Sequence, residues 1–292
     1  MYPSRFRYEA PTSLDEAVGL LHDGGVDAKV LAGGQSLVPM LKLRFAQPEL
    51  LVDINNLPDL DYHHVDAGGA LRIGALCRHA DLERSPLLPD RQPTMAAAAP
   101  LIADPLVRNR GTLVGSLCHA DPQGDWASVV TALGGYVVAH GPNGRREIPA
   151  AEFVTGPFQN ALAYDEIAIE AVIPAPQAIP DGGYLKLERR VGDFATVGVA
   201  VAVERERGLV VSRAGIGLTG VGGSTIDARE AADALVGHAL SAQLIDSVAD
   251  LAAQAADPRT DHRGSAEYKR NVVRTFTARL LRRVAATGER AA

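Results

Sequence analysis

Apolar and polar positions in the first 61 residues follow two periods, one typical of helices and one typical of strands. The segment "SLDEAVGLLHDGG" places Leu14, Val18 and Leu21 at helical spacing, and Ser13 with Glu16 forms a capping-box pattern at its start. Short apolar runs, "AKVL" and "ELLVDI", lie on either side of a second helical stretch, "LVPMLKLRF". This pattern predicts a small unit in which strands and helices alternate.

From residue 62 to residue 173 the pattern changes to short strands around an alanine-rich helix near 93–103. The runs "GGYVVAHG" and "RREIP" flank the turn "PNG", which predicts a β-hairpin, and "DEIAIEAVIP" predicts one more strand. The stretch 174–183 contains three prolines and two glycines, which indicates a linker without regular structure. Three strand patterns and then three helical patterns fill 184–292, and this order predicts an antiparallel α+β domain.

Composition excludes several classes of protein. The chain has 292 residues, of which 47% are hydrophobic, and a net charge of -6 without a long Lys/Arg cluster argues against nucleic acid as a partner. No apolar run approaches the roughly 20 residues that span a bilayer, and the first residues lack an apolar signal core, so we expect a cytoplasmic protein. Cys77 and Cys118 are too few for an iron–sulfur cluster, which takes four thiolates, and we expect both to be buried and unpaired.

Two glycine-bearing loops carry the chemistry that the sequence suggests. In "LAGGQSLVPM", Gly33 and Gly34 lie between a strand and a helix, where backbone amides and the helix N-terminus favour an anion. The loop has neither the Gly-Lys-Ser/Thr ending of a P-loop nor the G-x-G-x-x-G spacing of a Rossmann fold. The second loop, "RNRGTLVGS", offers Gly111, Gly115 and two arginines. Together the loops predict a site that holds a diphosphate from both sides.

Three longer motifs extend this prediction to a family. The stretches "AGGQSLVPMLKLR", "IADPLVRNRGTLVGSLCHADPQGDW" and "LKLERRVGDFA" resemble the FAD-binding medium subunits of molybdenum hydroxylases, which include the medium chain of carbon monoxide dehydrogenase and the flavin segment of xanthine dehydrogenase. The resemblance covers nearly the whole chain. It implies an α+β fold with FAD-binding subdomains of the vanillyl-alcohol-oxidase/PCMH type at 1–61 and 62–173, a linker at 174–183, and a C-terminal domain at 184–292 with a three-stranded antiparallel sheet and helices.

The same resemblance implies FAD as the cofactor, with its pyrophosphate at the two loops. Neither loop carries a Cys or His attachment signature, so we expect noncovalent binding. Asp125 matches an acidic position of the flavin pocket, Lys186 matches a lysine that contacts the cofactor, and Phe194 falls where carbon monoxide dehydrogenases carry a tyrosine near the ring. The predicted cofactor-binding residues are Ala32, Gly33, Gly34, Gln35, Ser36, Leu37, Thr112, Leu113, Val114, Gly115, Ser116, Asp125, Lys186 and Phe194. The resemblance implies no catalytic residue and no metal ligand in this chain.

The chain departs from the family pattern at three positions. Gln35 replaces a histidine that is frequent in carbon monoxide dehydrogenases, which weakens the case for carbon monoxide as substrate. Val114 replaces a glycine, and because a β-branched residue disfavours a positive φ and a close approach to phosphate, we expect weaker FAD binding. Phe194 keeps an apolar face for the ring but loses the hydroxyl.

Several of these residues could also have a purely structural role. Asp125 is also suited to cap the helix that begins at "WASVVTAL", and Lys186 is also consistent with an exposed strand residue. Arg108 and Arg110 either contact FAD or anchor the second loop through carboxylates such as Asp104. For "CHADP" we expect a turn rather than a catalytic dyad. For the pair "HH" we expect two exposed side chains rather than a metal site.

The resemblance implies an electron-transfer subunit. It would receive electrons from a [2Fe-2S] small subunit, pass them through FAD to an external acceptor, and assemble with a molybdopterin-binding large subunit into a dimer of heterotrimers. The C-terminal helices, with Leu280, Leu281 and Val284, are the docking face that we expect. A stand-alone FAD-dependent oxidoreductase and a nucleotide-binding protein without redox activity remain as alternatives.

Overall fold

The N-terminal unit is a parallel sheet with two helices. The computed structural model describes residues 2–206 and 209–291, with side chains as far as residue 287 at the C-terminal end. The first elements are β1 (Arg7–Glu9), α1 (Leu14–Gly24), β2 (Ala28–Leu31), α2 (Leu37–Leu43) and β3 (Leu50–Asp53). Strand β3 lies between β1 and β2 and is parallel to both. The cap at Ser13 is confirmed, since its hydroxyl accepts from the Glu16 amide at 3.2 Å, while the Glu16 carboxylate binds the amide of Thr12.

The second unit is built on an antiparallel sheet. Its elements are β4 (His63–Val65), β5 (Leu71–Gly74), α3 (His79–Glu83), α4 (Leu88–Arg91), α5 (Pro93–Ala98), α6 (Pro105–Arg108), α7 (Leu113–His119), α8 (Asp125–Ala132), β6 (Tyr136–Gly141), β7 (Gly144–Pro149), α9 (Ala150–Phe153), β8 (Val154–Gly156), β9 (Gln159–Asn160) and β10 (Ile167–Ile173). Within 62–173, all of it described, the main sheet has the order β4-β5-β10-β6-β7. The predicted hairpin is confirmed as β6 and β7. The alanine-rich helix is shorter than predicted, because Pro100 has no amide hydrogen to continue it beyond Ala98.

The C-terminal unit has one strand more than the sequence predicted. Its elements are β11 (Ile179–Leu187), β12 (Val197–Arg205), β13 (Val211–Thr219), β14 (Ile226–Asp227), α10 (Arg229–Asp233), α11 (Ala242–Ala255) and α12 (Ala266–Ala291). Over the described part of this unit the sheet is four-stranded, in the order β11-β12-β13-β14, so the predicted three-stranded sheet is wrong in this detail. Strand β14 contributes only Ile226 and Asp227, paired with Leu218 and Gly217. Two residues are too few to produce a recognisable alternation of apolar and polar positions.

The predicted linker is only partly irregular. Strand β11 begins at Ile179, so 174–178 alone lacks a helix or strand, and Pro180 lies inside the strand opposite Glu204. Strand β11 is at the edge of the sheet, which is where strands tolerate a proline. The prolines therefore did not prevent regular structure, contrary to the prediction.

Strand β12 joins the second and third units because both of its faces are buried. Val199 and Val201 contact the core formed with the C-terminal helices, whereas Ala200 and Ala202 contact the core of the first two units. On the neighbouring strand β13, a Cβ at Gly215 would lie 1.9 Å from the Ala132 carbonyl oxygen of α8. Only glycine permits so close an approach of helix α8 to the sheet.

The apolar residues predicted as a docking face belong to the core. Leu280, Leu281 and Val284 are buried among residues of the sheet and of α11, so that prediction is wrong. Helical spacing shows that a face is apolar but does not show what covers it. Among the helices in the described ranges, none is long and apolar enough to cross a membrane.

Both cysteines are free thiols. Cys77 is fully buried and Cys118 is half-buried, and burial raises the pKa of each thiol to about 12. A thiol with so high a pKa is a poor nucleophile and a poor metal ligand at neutral pH. The prediction that both cysteines are unpaired is confirmed, whereas the predicted burial holds fully for Cys77 and only in part for Cys118.

Candidate functional site

The first glycine loop connects β2 to α2 and presents a row of backbone amides. Gly34 has a φ of +73°, which a residue with a side chain rarely adopts, and this conformation turns the chain from the strand into the helix. Among the described residues, the amides of 33–37 have no hydrogen-bond acceptor. Gln35 folds its side chain back to the Gly33 carbonyl at 3.2 Å and leaves these donors uncovered. Such a row of amides at a helix start fits a phosphate.

The two glycine loops are in direct contact. A Cβ at Gly33 would lie 2.4 Å from the Arg110 carbonyl oxygen and 2.8 Å from the Gly111 Cα. Only a residue without a Cβ lets the first loop lie so close to the backbone of the second loop. The prediction that both loops contribute to one site is therefore consistent with the fold.

Asn55 and Arg78 hold the two loops together, and the sequence analysis missed both. The Asn55 amide donates to the Ala32 carbonyl at 2.8 Å, and its carbonyl oxygen accepts from Arg78 at 2.8 Å. Arg78 also donates to the Arg110 carbonyl at 2.7 Å. The asparagine after the end of β3 in "VDINN" was an available signal, but nothing in the sequence around Arg78 indicated its partners.

The second loop passes directly into helix α7, which changes the interpretation of Val114. Thr112 is the N-cap, and its hydroxyl accepts from the Gly115 amide at 3.1 Å. Val114 lies in the first turn of the helix with a right-handed backbone, and its side chain is buried in the core together with Leu113. The expected conflict between a branched residue and a positive φ therefore does not arise. Ser116 lies two residues after Val114 in the same helix and is partly exposed.

His79 supports the second loop from behind. Its backbone amide donates to the Gly111 carbonyl at 3.0 Å, and a Cβ at Gly111 would lie 2.8 Å from the His79 ring. The indole of Trp126 donates to Nδ1 of His79 at 3.0 Å. Burial, and after it the nearby charge of Arg108, lowers the pKa of His79 to about 4, so the ring stays neutral and can accept this bond.

The arginines of the second loop have different environments. Arg108 pairs with Glu83 at 2.8 Å, and the Asp104 carboxylate accepts instead from the Val107 amide. The alternative in which Arg108 anchors the loop is thus confirmed, although with another carboxylate. The Arg110 side chain is exposed.

Asp125 and Lys186 form a buried ion pair between the second and third units. The Lys186 ammonium lies 3.0 Å from a carboxylate oxygen of Asp125 and donates to the Leu101 carbonyl at 2.9 Å. The Tyr184 hydroxyl donates to the other oxygen of Asp125 at 2.6 Å. Burial raises the pKa of Asp125 although the ammonium of Lys186 opposes this shift. The Lys186 side chain is only 1% exposed, so the alternative of an exposed strand residue is wrong.

Asp125 is the first residue of α8 and not its N-cap, which is Gly124. The capping alternative is therefore wrong.

Phe194 is half-exposed in the connection between β11 and β12, where Arg263 donates to its carbonyl oxygen at 2.9 Å. In the same connection Gly192 has a φ of +85° and lies against the backbone of Ala103.

The remaining histidines behave as the sequence analysis expected in most respects. His119 lies 3.9 Å from Asp121, whose other oxygen accepts from the Gln123 amide in the expected turn. His63 differs, since it is half-buried in β4 and contacts Ser85 at 3.0 Å. In the part of the chain that the structure describes, no cluster of three or more His, Cys, Asp or Glu side chains is arranged to hold a metal ion.

Comparisons with known proteins identify the class to which this fold and site belong. Residues 4–176 match the family model of the FAD binding domain in molybdopterin dehydrogenase, and residues 183–284 match that of the CO dehydrogenase flavoprotein C-terminal domain. The chain therefore belongs to the FAD-binding subunit family of the molybdopterin dehydrogenases, as the sequence motifs indicated.

Individual relatives match over almost their full length. The chain is 44% identical to the carbon monoxide dehydrogenase medium chain of Hydrogenophaga pseudoflava, over 92% of this chain and 93% of that one. It is 39% identical to subunit alpha of the 6-hydroxypseudooxynicotine dehydrogenase complex of Paenarthrobacter nicotinovorans, over 96% and 95%. A solved structure of carbon monoxide dehydrogenase from Hydrogenophaga pseudoflava matches with a TM-score of 0.93 and 43% identity, over 99% of both chains.

Proposed function

We propose that this protein is the FAD-binding electron-transfer subunit of a molybdenum hydroxylase complex. The observation that carries the proposal is the contact of the two glycine loops at Gly33, beside amides that have no acceptor among the residues that the structure describes. A diphosphate is the part of FAD that such donors recognise. Membership of the family and the relatives matched over their full length support the same assignment.

The chain's own residues have distinct roles in this proposal. The amides of residues 33–37 and the start of α7, within 112–116, would hold the diphosphate, and Asn55 and Arg78 keep the loops at the required separation. Bound FAD supplies a carrier that accepts electrons from one donor and delivers them to another. Asp125 and Lys186 are bonded to each other, to Tyr184 and to the Leu101 carbonyl, so we assign them to the supporting wall of the flavin pocket. Phe194 is proposed to contact the ring.

The partners follow from the same proposal. Electrons would come from a [2Fe-2S] small subunit, because this chain's two cysteines are too few to hold a cluster. A large subunit would carry molybdopterin and oxidise the substrate, and two heterotrimers would form the complete complex. Within this chain we propose domain boundaries after residues 61 and 173, with a linker that ends where β11 begins at Ile179. The cytoplasmic location stays a prediction from the sequence.

Coexpression tests the relay role. The chain is produced alone, with each neighbouring subunit, and with both, and the visible spectrum is followed after addition of the organic substrate of the complex. Bleaching of the flavin is expected only when all three chains are present. Bleaching of this chain alone by an organic substrate would overturn the relay and favour a stand-alone oxidoreductase.

Acid precipitation tests how the flavin is bound. The two loops carry no cysteine or histidine that could form a bond to the flavin, so the precipitated protein is expected to release FAD into the supernatant. Yellow colour that remains in the pellet would contradict noncovalent binding. Absence of flavin after reconstitution with FAD would contradict the site itself.

A further inference from the structure

An exposed apolar surface lies where the N-terminal segment runs beside the C-terminal end of α2. We define this N-terminal face by residues 2–8 and 42–48. Its side chains include Tyr2 at 87%, Phe45 at 79% and Leu43 at 56% exposure. The two segments adjoin each other, since Arg44 donates to the Tyr2 carbonyl at 3.4 Å. Single exposed apolar residues are ordinary on a protein surface, but a contiguous group of large ones marks an interaction site.

The charge of the N-terminal face is opposite to that of the whole protein. Its residues include Arg5, Arg7, Lys42 and Arg44 and no Asp or Glu, whereas the complete chain has a net charge of -6. Of these four, Arg7 is paired with Glu9, just outside the face, at 3.4 Å. Arg5 and Lys42 have no acidic partner among the described residues, and both are exposed. A positive patch on a negative protein selects an acidic partner surface and speeds its approach.

The face is also held in one conformation. Ser4 donates to the Gln47 side chain at 2.7 Å, and the Arg7 amide donates to the Glu49 carbonyl at 2.7 Å. Beyond it, strand β1 is paired with β3. A surface that is already ordered loses little conformational freedom on binding, and aromatic residues with arginine are the types that contribute most at interfaces.

We propose that the N-terminal face docks an acidic surface of the [2Fe-2S] subunit. The choice of partner rests on the proposed electron-transfer function; the existence of the face does not. Helix α2 begins at Leu37 in the first glycine loop and ends at Leu43 in the face, and its seven residues span about 10 Å. A subunit bound here lies one short helix away from the loop proposed to hold the diphosphate of FAD, and so on the same unit as part of the cofactor site.

The first test reverses the charge of the face in the full-length chain and measures its binding to the [2Fe-2S] subunit. Arg5→Glu/Lys42→Glu is compared with Arg91→Glu/Arg279→Glu, which changes the net charge equally at exposed positions outside the face. Both variants are loaded with FAD and titrated with the [2Fe-2S] subunit obtained by coexpression. We expect the dissociation constant to rise at least tenfold for the face variant and to stay within twofold of wild type for the control. Added salt is expected to weaken wild-type binding more than binding of the face variant.

A second pair of variants tests the face without changing charge. Phe45→Ser is expected to weaken binding of the [2Fe-2S] subunit at least tenfold, whereas Val26→Ser, exposed elsewhere, is expected to leave it unchanged. FAD content and thermal unfolding of each variant show whether the fold is retained. Unchanged binding by both face variants, with assembly of the wild-type complex intact, would overturn the docking face and leave the proposed function standing.

Two further outcomes separate the alternatives. If the wild-type chain itself binds no [2Fe-2S] subunit, the proposed function fails together with the inference. If the face variants assemble normally but lose cosedimentation with phosphatidylserine-containing vesicles, the face binds a membrane surface and the inference is overturned.

Discussion

Replacing Gly33 with alanine tests whether contact between the loops builds the site. The new Cβ would lie 2.4 Å from the Arg110 carbonyl oxygen and 2.8 Å from the Gly111 Cα. Both are backbone atoms, so no side-chain rotation relieves the overlap, and the loops must separate by at least about half an ångström.

The expected cost has two parts. Overpacking at a close backbone contact reduces the free energy of unfolding by about 1–3 kcal/mol. Separation of the loops also displaces the amides of residues 33–37, and each hydrogen bond lost to a charged phosphate costs about 1.5–3 kcal/mol. One lost bond weakens FAD binding about ten- to a hundredfold.

Isothermal titration of the apoprotein with FAD measures this effect. The control is Gly223→Ala, because a Cβ at Gly223 meets no atom within 4 Å and the backbone there has no positive φ. We expect the control to match wild type in affinity and in thermal unfolding. Gly33→Ala protein that binds FAD within twofold of wild type would refute the contact as the basis of the site.

Three other variants test the surroundings of the site. Lys186→Met leaves the buried carboxylate of Asp125 without its cation, so urea unfolding at pH 8 should show a loss of about 3–5 kcal/mol. Because burial raises the pKa of Asp125 in the folded state, this difference from wild type should shrink as the pH falls to 5; a constant difference would contradict the argument. With a pKa of about 4, His79 stays neutral in the folded protein, whereas in the unfolded chain it takes up a proton below about pH 6.5. The free energy of unfolding is therefore expected to fall by about 3 kcal/mol between pH 7 and pH 4. His79→Gln, which can still accept from Trp126, should remove this pH dependence. A variant whose unfolding free energy depends on pH as in wild type would refute the role of His79. Val114→Gly should lower stability by about 2–4 kcal/mol without tightening FAD binding, and a gain in affinity by titration would contradict its helical placement.

Local features of the site were predictable because they depend on neighbouring residues. The strand before Gly33, the glycines themselves and the helix after Ser36 are visible in the order of residue types. Such patterns act over three or four residues, and the sequence displays them directly. Thr112 is the cap before α7 in the structure, although the sequence analysis had assigned 112–116 to the second loop.

Predictions about single residues were less reliable wherever the role of a side chain depended on which other part of the chain packs against it. Val114 was interpreted from a glycine pattern, yet it is helical and its side chain is in the core. Leu280 and Leu281 were expected to dock a partner and instead pack against the chain's own sheet. In each case the residue type was compatible with two environments, and only packing selects between them.

By itself, the sequence determined the chemistry of the two loops and the family. It also determined that the two cysteines are too few to hold an iron–sulfur cluster. The tertiary structure alone decided that Gly33 lies on the backbone of the second loop, that Asn55 and Arg78 join the loops, and that Lys186 is buried against Asp125. These contacts join residues far apart in the chain. The Lys186–Asp125 contact exists because strand β12 is buried on both faces and brings the third unit against the second. The contacts between the loops exist because the first and second units share one apolar core.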